Sequence, residues 1–432
     1  MKNDVISVRE YARLTTGPCE PTLDRAHISP SAFEHLCRLN AEFGRGGASL
    51  VQVEGRQWLR LDNHVGVVQT PCGTTLEILP KHHDEGDSLA ASRGLLRKMI
   101  QALLELPRRE VGQAMLERFD APLTEWVMRQ FLLELEGVVK RGVRFEYQRV
   151  EEELPFLRGQ LHTVAELRQP PGREHRFQVR HDVFVPDRPE NRLLRLALER
   201  VRRATTDPDS WRLAHELTVR LSDVPESTRV RDDFRAWGND RLMAHYRGVR
   251  PWCELILSHS MPMALAGNTQ GLSLLFPMEK LFEHYVARWL REQLPADARL
   301  KVQASGQALC EHLGKPMFQL EPDLLVARGG QRWVMDTKWK RVDAANRAEK
   351  YNLSQADFYQ MLAYGERYTG GSGDMALIYP RSATFSQPLE PFAFSPRLRV
   401  HVLPFDLDAE TLMGWETLGI EADLVEASCT MA

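Results

Sequence analysis

Apolar and polar residues alternate through "SLVQVEGRQWLRLDNHVGVVQTPCGTTLEILPK" (49–81), and the alternation breaks at Glu54-Gly55, Asp62-Asn63 and Cys72-Gly73. A period of two between turn residues marks half-buried strands, so this stretch predicts a small meander or partial barrel. Just before it, "SPSAFEHLCRLNAEFG" has helical spacing, with Ser29 or Ser31 as the N-cap and Gly44 as the stop. From 88 to 142 the period lengthens. "SLAASRGLLRKMIQALLEL" and "LTEWVMRQFLLELEGVVKRG" predict two amphipathic helices, ended by Pro107 and Gly142. Short strands are expected within 144–167, a helix in "PENRLLRLALERVRRATTD", and further helix over 211–250. A domain boundary is expected near 250–270, where Pro, Gly and small residues mix. Beyond it the order is helix ("PMEKLFEHYVARWLREQL"), two strands, helix ("NLSQADFYQMLAYGERY"), strand ("DMALIYP") and a late strand ("LRVHVLPF"), which is an α/β unit. The expected division is a β-rich domain over residues 1–87, a mostly helical region over 88–260 and an α/β domain over 261–432, hence a multidomain α+β and α/β chain.

The length of 432 residues fits two or three domains, and 43% hydrophobic with 27% charged residues is an ordinary globular balance. Lys and Arg number 56 against 59 Asp and Glu, so any contact with nucleic acid must come from local patches. The six cysteines are scattered without a C-x-x-C pair, which argues against zinc knuckles and a disulfide framework and fits a reducing cytoplasm. A charged N-terminus and the lack of a long apolar run lead to the expectation of a cytoplasmic protein without membrane spans. The histidines form no H-E-x-x-H, and His82-His83 is expected to be a loop pair. No G-x-x-x-x-G-K-[ST] occurs, so a nucleotide-driven motor, if needed, would be a separate polypeptide.

The chemistry concentrates in "EPDLLVARGGQRWVMDTKWK" (321–340). Gly329-Gly330 suits the two central positions of a tight hairpin, which need positive φ. Arg328 then faces Gln331, Leu325 faces Val334, and Asp323 faces Asp336. Asp336 and Lys338 are two apart and share a strand face. Like charges directly opposite each other destabilise a hairpin. A divalent cation between them removes that cost, since Mg²⁺ is held by one or two carboxylates with water and phosphate oxygens. A solvated Asp–Lys pair on a surface hairpin is the plain alternative.

Two flanking helices add to the pattern. In "FPMEKLFEHYVARWL", Glu279 and Glu283 lie one turn apart beside the stripe of Met278, Leu281, Phe282, Tyr285 and Trp289. In "SQADFYQMLAYGERY", Gln360 and Tyr364 stack at i, i+4. Alone, these are ordinary rim residues of amphipathic helices. A helical Glu, Pro-Asp, Asp-x-Lys and Gln-x-x-x-Tyr in this order resemble the PD-(D/E)xK nuclease superfamily, and the trailing Gln and Tyr are like those of its RecB-type members.

More of the chain resembles one family, McrC. The similar segments are "GVVQTPCGTTLEILPKH", "VVKRGVRFEY", "LPFLRGQL", "PENRLLRLAL" and "FPMEKLFEHYV", within about 50–380. McrC is the endonuclease subunit of McrBC modification-dependent restriction systems. The resemblance implies a C-terminal restriction-endonuclease-like domain that cuts double-stranded DNA. It also implies that the N-terminal region engages McrB, a hexameric AAA+ GTPase that reads methylated cytosine, and stimulates its GTP hydrolysis. Carried over by motif, Asp323, Asp336 and Lys338 are catalytic, with Glu283 as the helix carboxylate and Glu279 in reserve. Asp323, Asp336 and Glu283 would hold Mg²⁺, Lys338 would position the attacking water, and Gln360 and Tyr364 would support them. Two other expectations stay open: a GTPase-activating scaffold with a spent nuclease site, and a stand-alone RecB-like nuclease. The arginines of 188–203 and the "KWKR" of 338–341 are candidate phosphate contacts, the latter the better placed.

Overall fold

The computed structural model describes residues 5–44, 49–81, 88–106, 122–170, 172–173, 175–238, 240–257 and 273–420. His82-His83, Pro107, Cys429 and most of the expected boundary segment lie outside them. In chain order the elements are β1 (Val5–Arg9), β2 (Arg13–Thr15), β3 (Arg25–His27), α1 (Pro30–Gly44), β4 (Val51–Val53), β5 (Trp58–Leu61), β6 (His64–Gln69), β7 (Thr75–Leu79) and α2 (Leu89–Leu103). Next come α3 (Leu123–Arg141), β8 (Glu146–Leu154), β9 (Gln160–Leu161), α4 (Thr163–Glu166), β10 (Phe177–Val185), α5 (Pro189–Ala204), α6 (Pro208–Arg220), α7 (Val230–Ala236) and α8 (Arg250–Leu257). The C-terminal stretch holds β11 (Leu274–Pro277), α9 (Met278–Gln293), β12 (Arg299–Val302), β13 (Gln307–His312), β14 (Lys315–Leu320), β15 (Leu324–Arg328) and β16 (Gln331–Thr337). It ends with α10 (Gln355–Tyr368), β17 (Gly373–Pro380), β18 (Phe392–Ser395), β19 (Leu398–Asp406) and β20 (Thr411–Leu412).

The chain divides into two compact units, 1–120 with 274–432, and 121–273. This grouping differs from the threefold division expected from the sequence. The reason is a long-range pairing: β11, at the head of the α/β segment, runs antiparallel to β6, completing the sheet β1-β7-β6-β11. In addition α2 packs on α9. The N-terminal strands and the α/β domain therefore belong to one body.

In that body the alternating stretch forms strands between the three breaks, but as two hairpins in separate sheets rather than one meander. It is shared between β1-β7-β6-β11 and a second sheet, β3-β2-β5-β4. Ser29 caps α1 by accepting from Ala32 N–H at 3.2 Å. The helix buries Ala32, Leu36 and Leu39 against Leu14, Leu59, Leu61 and Ile78. One charged pair is sealed inside: Arg93 of α2 donates to both oxygens of the fully buried Glu77 at 2.7 to 3.1 Å.

The α/β segment is built on a mixed sheet, β12-β15-β16-β17-β19-β18, with β20 on β19. β16, β17 and β19 are mutually parallel, and β15 is antiparallel to β16. Helix α9 packs on β16 and β12, and α10 on β16 and β17. Val334, Leu377, Val400 and Val402 form a core with Met361, Tyr364 and Tyr368 of α10.

The second unit joins helices α3 and α5–α8 to the sheet β8-β10-β9. Its arginine run is taken up in ion pairs and hydrogen bonds. Arg188 pairs with Glu146 and Glu190, Arg192 with Asp187 and Asp233, and Arg202 and Arg203 with Glu199. Arg195 donates to the Thr218 carbonyl, and Arg200 to those of Ile256 and Leu257. Arg192, Arg195 and Arg200 tie α5 to α7, α6 and α8, while Arg202 and Arg203 pair within α5 itself, which weakens the support for a phosphate-binding face there.

Candidate active site

The hairpin forms in the expected register. Gly329 (φ 55°) and Gly330 (φ 84°) make the turn, and Arg328 faces Gln331 and Leu325 faces Val334. Asp323 lies one position before β15, opposite Asp336. Its Oδ2 accepts from the Thr337 backbone N–H and from Thr337 Oγ1, both at 2.8 Å. Its backbone carbonyl accepts from Gln303 N–H at 2.8 Å. Pro322 and Asp323 are thus locked to the end of β16 and to the segment that follows β12.

Asp336 is 1% exposed, and its Oδ2 forms an ion pair with Lys338 Nζ. Lys338 is held from the other side: its Nζ donates to Gln360 Oε1 at 3.3 Å. Gln360 Nε2 donates to Tyr364 OH at 2.6 Å, and Tyr364 OH donates to the Glu321 carbonyl at 3.1 Å. Helical spacing in α10 thereby ties the Lys338 ammonium to Gln360 and, through it, to Tyr364.

Glu283 and Glu279 separate clearly. Glu279 is exposed, whereas Glu283 is 2% exposed and turned inward from α9. Lys280 Nζ donates to its Oε2 at 2.6 Å, while Oε1 is buried without a hydrogen bond. Burial foremost, and the charge of Asp323 next, raise the Glu283 carboxyl above its ordinary range. Burial, again aided by Asp323, raises Asp336 as well, although Lys338 opposes this. Burial alone would lower the Lys338 ammonium, but Asp336 and Asp323 more than offset it, so the charged form is favoured. Asp323 is the common neighbour of both raised acids.

Among the described residues no three His, Cys, Asp or Glu side chains form a ready metal cage. The residues fit the looser arrangement that Mg²⁺ uses, in which one or two carboxylates are completed by water and phosphate. Asp323 and Asp336 supply the opposed pair. Their mutual repulsion, together with the unsatisfied buried oxygen of Glu283, is the kind of strain that a cation relieves. Sequence reasoning missed three contributors. Thr337 fixes Asp323, Lys280 neutralises Glu283, and Asp357 bears on both Asp336 and Lys338. Lys280 stands three residues from Glu283, a spacing that could have revealed it.

The raised acids carry a pH signature. A carboxyl with a raised folded-state pKa keeps a proton that the unfolded chain releases. Its stabilising contribution is complete below the ordinary carboxylate range and is lost as pH rises through the folded value. Asp336→Asn stays neutral throughout. Without divalent cations, its melting temperature should gain on the parent's between about pH 4 and about pH 7. A pH-independent difference in thermal melts would contradict the shift.

A model of the McrBC 5-methylcytosine restriction system component matches residues 59–380. The chain belongs to this McrBC family. The sequence resemblance to McrC is borne out. No curated protein matches the chain. Two solved structures share the fold. One is an assembly of Thermococcus gammatolerans McrB AAA+ hexamers with bound McrC, at 19% identity and TM-score 0.70, covering 93% of this chain and 94% of that one. The other is the T. gammatolerans McrBC complex, at 20% identity and TM-score 0.53, covering 66% and 87%. The stretch that marks the chain as a McrBC component takes in residues of both compact units. Among the described residues no helix is long and apolar enough to cross a membrane.

Proposed function

We propose that this chain is the McrC-type, Mg²⁺-dependent endonuclease of a restriction system, hydrolysing phosphodiester bonds in methylcytosine-containing double-stranded DNA. The observation that carries this is the hairpin register, which sets Asp323 against Asp336 with Lys338 alongside. A bound Mg²⁺ would polarise the scissile phosphate, acidify its water and neutralise the leaving oxygen.

The chain's own residues do the rest. Asp323, Asp336 and Glu283 would hold the cation through their carboxylates. Lys338, steered by Gln360 and Tyr364, positions the attacking water and balances charge on the phosphorane-like transition state. Thr337 keeps Asp323 aimed into the site.

The partner assigned here is an McrB-like AAA+ GTPase hexamer, whose hydrolysis the chain stimulates. The similar assembly holds McrC on AAA+ hexamers, which supports this pairing. The exposed, touching rings of Tyr147 and Phe184 on β8 and β10, with centroids 4.9 Å apart, give the second unit an apolar patch suited to docking. A non-cleaving scaffold and a stand-alone nuclease are the rivals. Cleavage of methylated DNA that needs both the GTPase partner and GTP supports the proposal. Cutting by this chain alone supports the stand-alone nuclease, and the Asp336→Ala variant separates nuclease from scaffold.

A further inference from the structure

We propose that a cavity beside the candidate active site, bounded by Glu10, Tyr11, Arg60, Lys81, Arg341 and Arg381, seats a backbone phosphate of the DNA strand. This deepens the nuclease proposal and rests on it. The cavity measures about 380 Å³ and lies wholly within the first compact unit. Its walls come from the N-terminal strands and from the "KWKR" segment that follows β16. Five lining side chains are cationic, and Glu10 is the acid among them.

The cations are oriented rather than loose. Lys81 is braced by Asp24 at 3.0 Å, Lys340 by Asp357 at 3.0 Å and Arg381 by Asp406 at 2.7 Å, and none of these three acids lines the cavity. Arg60 lies 5.8 Å from the centre of the Tyr11 ring. Guanidinium forks set in this way match the geometry of phosphate oxygens.

Glu10 supplies the independent sign that something belongs there. It is fully buried, and its Oε1 accepts from Trp339 Nε1 and from the Lys81 backbone N–H, both at 2.9 Å. Its Oε2 has no hydrogen-bond partner. Burial pushes this carboxyl up to about 7 despite Lys81 and Arg341 nearby. A protonated Oε2 is a donor, and an anionic oxygen in the cavity would satisfy it.

The position selects DNA. Arg341 lies three residues beyond Lys338, at most about 11 Å of extended backbone. Each DNA strand carries one charge per about 3.4 Å of helix axis, so that reach suffices for a phosphate next to the scissile one. A strand with its scissile phosphate at Lys338 can place a neighbouring one in the cavity.

The test is DNA binding by the full chain across a salt series, with Ca²⁺ replacing Mg²⁺ so that binding is read apart from cleavage. Arg60→Ala with Arg341→Ala should weaken binding about tenfold and flatten the log–log salt slope by roughly 2. Glu10→Gln, which removes a negative charge but keeps the shape, should tighten binding at alkaline pH. A role in folding alone predicts no tightening. Unchanged affinity and slope in the arginine variant overturn the subsite. Loss of the parent's binding to inorganic phosphate or a mononucleotide, with DNA binding unchanged, assigns the cavity to a free anion and also overturns it. The nuclease proposal is judged separately, by Asp336→Ala cleavage.

Discussion

Asp336→Ala should lower DNA cleavage by on the order of 10³-fold or more while leaving the stimulation of a partner GTPase intact. Asp336 is the buried carboxylate directly joined to Lys338, and it faces Asp323 across the hairpin. Its removal deletes half of the opposed pair that would hold Mg²⁺. It also takes away the charge that favours the Lys338 ammonium. Two catalytic contributions fall together, which is why the loss should exceed that of a single hydrogen bond. The fold should tolerate the change, because a desolvated acid crowded by Asp323 is removed rather than an apolar contact. Cleavage and GTP hydrolysis read in one reaction give the answer. Equal cutting by variant and parent would refute the assignment, and loss of both activities would point to collapse of the domain.

Gly66→Ala should cost about 3 kcal/mol or more of stability. Gly66 sits in the middle of β6 at φ 131°, a conformation that side chains with a Cβ rarely adopt. A Cβ there would lie 1.9 Å from the Leu274 carbonyl oxygen and 2.9 Å from its carbon. Both atoms are backbone of β11, so no rotamer change relieves the clash. The β6–β11 pairing would have to shift, and that pairing joins the N-terminal sheet to the α/β segment within the first unit. At roughly 2–4 °C per kcal/mol for a body of this size, melting should fall by about 6 °C or more. An unchanged melting temperature would mean that β11 does not hold β6 as described.

The hairpin was legible because two rules act there at short range: paired glycines set the turn, and strand period fixes who faces whom. From Gly329-Gly330 alone the opposition of Asp323 and Asp336 followed, and β15–β16 has that register. Helical spacing likewise joined Gln360 to Tyr364, which are hydrogen bonded at 2.6 Å. Local patterning also located α1, α9 and α10. It could not find β11, a short strand whose character comes from pairing Leu274 with Val67, far back along the chain. It missed β10 and the hairpin β13–β14 for a related reason. The faces of β13 and β14 are largely solvent-exposed, so the apolar alternation there is weak, whereas β10 does alternate and owes its place to pairing with β8.

Charge was the least legible level. Six arginines between 188 and 203 read as a basic surface, yet each is taken up by a carboxylate or a carbonyl of the same unit. Glu199 could have been read from helical spacing, but Asp233, Glu146 and the Thr218 and Ile256 carbonyls lie on other elements and become visible only in three dimensions. The choice between Glu279 and Glu283 is similar. Both sit on one side of α9, and what distinguishes them is burial against the sheet.

The most direct test of the account is whether Asp323 and Asp336 share a cation. Mn²⁺ binding to the full chain with duplex DNA present can be followed by electron paramagnetic resonance. The parent should show a saturable site that Mg²⁺ displaces, and both Asp323→Asn and Asp336→Asn should lose it while Glu279→Gln keeps it. A site that survives in both aspartate variants would contradict the assignment.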